Sequence, residues 1–154
     1  GAWVLHTLRG LIGDDAFFAA LRRMAYPDST RLRATDGEQV RFVTTDDFLR
    51  IAEDESGCDL DWLFEVYLRQ PALPELHAER GRGAAADGDV IRISWNAPAG
   101  LPFPMPVEVD IDGEVRVVEV GADGTAEIEV PAGARTELDP QGWILRANQG
   151  AVRP

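Results

Sequence analysis

The chain has 154 residues, 45% of them hydrophobic, and carries a formal net charge of −12. This is enough apolar material for a core and too much for a disordered chain, and the length suits one ordinary domain or two small ones. The charge argues against nucleic acid, whose binding rests on neutralising phosphates with Lys and Arg, and against anionic membrane surfaces; no apolar run approaches the roughly 18 residues of a membrane-spanning helix.

All 15 basic residues are Arg, and the single cysteine is Cys58. One cysteine forms no intramolecular disulfide, so nothing here signals an oxidising compartment. Cys58 reads as a small residue at a helix junction rather than as a nucleophile.

In chain order, Gly1–Gly13 reads as a helix that is apolar almost all round. Trp3, Val4, Leu8, Leu11 and Ile12 form a stripe that Leu5 broadens, and only His6, Thr7 and Arg9 are polar. Such a helix has to be enclosed on several sides. It opens without Ser, Thr, Asp or Asn before it, which suggests a piece of a longer protein. Gly13 suits a left-handed helix end and Asp14 the cap of a second helix, Asp15–Ala25. There Phe17, Leu21 and Met24 face one way, and Arg22 and Arg23 complement the dipole of the last turn. Thr35-Asp36-Gly37 reads as a turn and Gln39–Val43 as a short extended segment. Thr44 with Asp46 and Asp47 opens a third helix, Asp46–Glu55, that buries Phe48, Ile51 and Ala52. Asp59 caps a fourth, in which Leu60, Leu63, Phe64, Tyr67 and Leu68 fall at i, i+3, i+4, i+7 and i+8. Pro71 and Pro74 close it.

From residue 74 the apolar spacing alternates. Candidate strands are Glu75–Arg80, Asp89–Trp95, Pro106–Asp112, Glu114–Val120, Thr125–Val130, Arg135–Leu138 and Ile144–Ala147. Asp112-Gly113 is a hairpin turn signal, Asp123-Gly124 another turn, and Val117-Val118 suggests a bulge. Gly81–Gly88 reads as a small, polar, mobile connection. The fold class is therefore α+β: about four helices over residues 1–73, then a small antiparallel β-sandwich of about seven strands over residues 74–154.

No catalytic constellation stands out. His6 and His77 lie in different segments, with no His-Glu-x-x-His and no Cys-x-x-Cys, so a zinc site has no ligand set here. Both read as ordinary hydrogen-bonded histidines, His77 in an edge strand. Asp46-Asp47 and Glu53-Asp54-Glu55 read as solvated helix surface. Asp110, Asp112 and Glu114 have a calcium-like spacing but too little of a ligand loop. Trp95 and Trp143 are the pair that could floor a binding face, with core packing the more economical reading. Catalytic residues and metal ligands are accordingly expected to be none in this chain.

Several stretches together resemble a known family. Gly1-Ala-Trp-Val-Leu-His-Thr-Leu-Arg, Ile12-Gly-Asp-Asp-Ala-Phe-Phe18, Thr44-Thr-Asp-Asp-Phe48 and Ser56-Gly-Cys-Asp-Leu-Asp-Trp-Leu-Phe64, followed by Leu68 and Pro74, are similar to the late part of the catalytic domain in M1-family zinc aminopeptidases. Val107–Val109, Asp112-Gly113, Leu138-Asp139-Pro140 and Trp143-Ile144-Leu145 are similar to the sandwich that follows it in many members. The segment Ser29–Phe42 is longer than the family's short link. The resemblance implies a parent that removes N-terminal residues from peptides using zinc. In the family, two histidines of His-Glu-x-x-His and a later glutamate hold the metal, the motif's own glutamate activates water, and the tyrosine of a Tyr-x-Lys-Gly motif stabilises the oxyanion. That motif's glycine would correspond to Gly1, so every such group would lie upstream. The chain itself is then structural and inactive, with the upstream catalytic domain as its partner. The Trp3, Val4, Leu5 and Leu8 region is expected to be partly exposed or covered by a second copy. The alternative is a non-catalytic peptide- or glycan-binding module, which an exposed Trp95–Trp143 pair would favour.

Overall fold

The computed structural model describes residues 1–83, 88–147 and, for their backbone, 152–153. Three α-helices come first: α1 (Ala2–Ala25), α2 (Thr45–Ser56) and α3 (Asp61–Leu68), with a 3-10 turn at Ser29–Arg31. Seven strands follow: β1 (Glu75–Arg82), β2 (Gly88–Asn96), β3 (Val107–Ile111), β4 (Glu114–Val118), β5 (Thr125–Pro131), β6 (Thr136–Leu138) and β7 (Val152–Arg153). They form one sheet ordered β5-β2-β1-β7 and a second ordered β4-β3-β6. Among the described residues the pairings are antiparallel except β1 with β7, which meet at Ala78 and Glu79. The class is α+β, with two sheets after a helical part.

The helix count is three rather than four because the first two expected helices run together. Gly13 between them is not helical, at φ 81° and ψ 164°, so the range Ala2–Ala25 holds two helical segments that meet at a kink, where the sequence places the break. A residue with a side chain would be strained at that φ. Asp14 does not act as a plain cap; both its oxygens accept from Arg9, at 2.7 and 2.8 Å. The α2 start is as expected: Thr44 Oγ1 accepts from Asp47 N, and the Asp47 carboxylate accepts from Thr44 N. Asp59 stands one residue earlier than the cap position of α3, which is Leu60, although its carboxylate accepts from Asp61 N.

Six of the seven strands lie where alternation places them. Asp112 and Gly113, both at positive φ, make the β3–β4 turn in the primed geometry that matches strand twist. The expected bulge at Val117-Val118 is absent, because both pair in unbroken register with Glu108 and Val107. Gln39–Val43 forms no strand. His77 pairs across to Ser94 of β2 and lies beside, not within, the two residues that meet β7. Of the connection Gly81–Gly88, residues 84–87 lie outside the described set.

The seventh strand is misplaced. Residues 139–147 are not a strand but an irregular strap, because their backbone groups find other partners. Trp143 O accepts from Thr7 Oγ1 (2.9 Å), Leu145 N donates to the same hydroxyl (3.0 Å), and Leu145 O accepts from Tyr67 (2.6 Å). Ala147 N donates to Pro74 O. A strap bonded to α1, α3 and the entry to β1 satisfies its own polar groups without a ladder. It also fixes how the helices sit on the sheets. Gly10 permits the close approach: a Cβ there would lie 2.9 Å from the Trp143 ring.

One core runs through both parts. Leu8, Phe17, Leu60, Leu63, Phe64 and Val66 from the helices join Leu76, Ile91, Ile93, Val107, Val109 and Leu138 from the sheets. Phe103, in the link between β2 and β3, lies where they meet. Its ring packs edge-on to Trp62, Tyr67 and Trp95, with centroids at 5.2, 5.6 and 5.1 Å.

Candidate functional site

An apolar concavity lies on the helical part. Val4, Leu5 and Leu8 line it from the first turns of α1, and Leu21 and Met24 from the far side of the Gly13 bend. Phe48 of α2 and Leu63, Phe64 and Leu68 of α3 close the other wall, with Val43, Thr44 and Thr45 at the rim. The volume is about 460 Å³, and no charged side chain lines it. The groove exists because three amphipathic stripes converge without a fourth element to complete the core. Phe48 is only half-buried and Leu68 is exposed, although periodicity assigns both to a core face. Trp3 is 57% and Leu5 38% exposed, Val4 is half-buried, and Leu8 is buried. The region is thus partly exposed, as expected, through Trp3, Leu5 and part of Val4, with Leu8 buried beneath them. Contiguous exposed apolar surface of this kind marks a surface that meets something else.

The rim is held by the α2 capping box, and this has a pH consequence. The Asp47 carboxylate lies below its ordinary range because the Thr44 N–H and hydroxyl both donate to it, with Arg50 adding a further bond. A carboxyl lowered in the folded state stabilises it above its unfolded pKa, about 4, and loses that contribution as pH falls through the lowered native value. Asp47→Asn is therefore expected to destabilise the chain at neutral pH, and the difference from the unsubstituted protein should shrink in acid. Urea unfolding at pH 7 and pH 3 reads this; an equal difference at both would refute it.

The other residues singled out by sequence have settled roles. His6 stacks on the Trp143 indole, centroids 4.5 Å apart and planes at 18°. His77 Nε2 lies 3.3 Å from Glu75. Cys58 is exposed at the α2–α3 junction. Asp110 accepts from Gly113 N, Asp112 accepts from Arg135 N, and Glu114 pairs with Arg116, so these three shape the hairpin. Trp95 is buried, and its Nε1 donates to Met105 O at 2.9 Å. With Trp143 against α1, the two tryptophans form no exposed aromatic pair, which counts against the binding-module reading.

Metal chemistry needs a donor set, and the described residues offer one group of three: Glu53, Asp59 and Asp61, within 4.8 Å of one another. Their oxygens already accept from Leu60 N and Asp61 N, which hold the α2–α3 turn. The group contains no imidazole or thiolate and does not suit zinc in the His/Cys-rich manner of its usual sites. Among the described residues no helix is long and apolar enough to cross a membrane.

Sequence reasoning gave no weight to one polar cluster. Asp139 is buried, with its oxygens accepting from Trp143 N (2.7 Å), Ile144 N (3.3 Å) and Arg146 Nη1 (2.6 Å). It anchors the strap. The signal available was Leu-Asp-Pro ahead of an apolar run, a place where a carboxylate turns the chain.

No protein-family model matches the sequence, and no curated protein is similar to it. A solved structure does match: Legionella pneumophila aminopeptidase A in complex with aspartic acid, with a TM-score of 0.64 at 15% identity. The likeness is one of fold. It covers 99% of this chain and 17% of that enzyme, so the chain spans about a sixth of the length of the structure it matches. A fold like that of this chain thus occurs elsewhere as one portion of a much larger chain.

Proposed function

We propose that this chain is a C-terminal portion of an M1-like zinc aminopeptidase. Residues 1–73 are the tail of its catalytic domain, and residues 74–154 are the β-sandwich that follows. The parent removes N-terminal residues from peptides. The observation that carries this reading is the fold likeness to an aminopeptidase over 99% of this chain, joined to the sequence stretches at Gly1–Arg9, Thr44–Phe48 and Ser56–Phe64 that resemble the same kind of enzyme. The open apolar groove on the helical part agrees with it, since a catalytic domain continuing upstream would complete that core.

The described residues do not fit the metal. His6 is stacked on Trp143, His77 lies in β1 beside Glu75, and the one group of three carboxylates among the described residues is spent on a turn. No step of the hydrolysis is therefore assigned to these side chains. Their work is mechanical: α1 to α3 buttress the domain that holds the reacting groups, and the strap 139–147 ties those helices to the sandwich.

The test has two arms. The reading frame upstream of Gly1 is expected to encode His-Glu-x-x-His and Tyr-x-Lys-Gly, and the protein expressed from the whole frame is expected to release 4-nitroaniline from an aminoacyl-4-nitroanilide in a zinc-dependent way. The 154-residue chain alone is expected to be inactive. An upstream frame lacking both motifs would defeat the parentage, and zinc-dependent cleavage by the isolated chain would defeat the structural role.

A further inference from the structure

We draw no further inference here: the strongest candidate, the uncharged apolar groove between α1, α2 and α3 lined by Leu5, Leu21, Phe48 and Leu68, is an open face, and nothing in the structure shows what covers it.

Discussion

Asp139→Ala is expected to destabilise the fold by about 3–5 kcal/mol, the cost of breaking a buried ion pair by removing one partner. The Asp139 side chain is 2% exposed and that of Arg146 10%, so water does not replace what is lost. The substitution takes the carboxylate from the Arg146 guanidinium and from two backbone N–H groups, those of Trp143 and Ile144. The strap then loses the turn that aims Trp143 at α1. Asp139 sits at φ 49°, a left-handed conformation that Asn also visits. Asp139→Asn therefore separates charge from shape, and it should cost less than the alanine. Arg146→Met in the Asp139→Asn background should add less than an independent substitution would, because the two side chains form one ion pair. Urea unfolding of the three variants measures this. An Asp139→Ala loss below about 1 kcal/mol, the ordinary size of a point substitution, would show that the cluster does not hold the strap.

Legibility in the sequence followed the range of the interaction. The α2 capping box involves Thr44 and Asp47, three residues apart, and was readable as it stands. So were the alternation of Ile91, Ile93 and Trp95 in β2 and the Asp112-Gly113 turn. Each is decided within one or two turns of chain. The strap was misread as a strand because Ile144–Ala147 has strand composition. What decides its structure is Thr7, some 138 positions away, and Tyr67, 78 away. Composition is blind to such partners. The break at Gly13 is local as well: Gly13 is non-helical at the kink that joins the two segments of α1, while Leu8 and Phe17 on either side of it enter one core. The groove shows the converse. Phe48 and Leu68 have core periodicity and would be assigned inward on any pattern, and only the packing shows that the groove they line stays open.

Phe103→Ala is expected to be the most damaging apolar truncation, about 3–5 kcal/mol on the scale of buried Phe losses. The residue lies in Leu101-Pro-Phe-Pro-Met-Pro106, a run with neither helical nor strand periodicity, and it is 1% exposed. Its ring is the common neighbour of Trp62 and Tyr67 on α3 and of Trp95 on β2, each at edge-to-face distance. Edge-to-face pairs contribute beyond area, because the positive ring edge meets a negative face. Removing the ring therefore opens a cavity between the helices and the sheet. The Trp95 indole, whose Nε1 bonds to Met105 O, would lose its packing on one side. Two readouts should move together: the urea midpoint should fall, and the near-ultraviolet circular dichroism of the tryptophans should weaken. Phe48→Ala is the control of the same chemistry, since Phe48 is half-buried in an open groove and its loss creates no enclosed cavity. Phe103→Ala costing no more than Phe48→Ala would show that this ring is not what joins the helical part to the sheets.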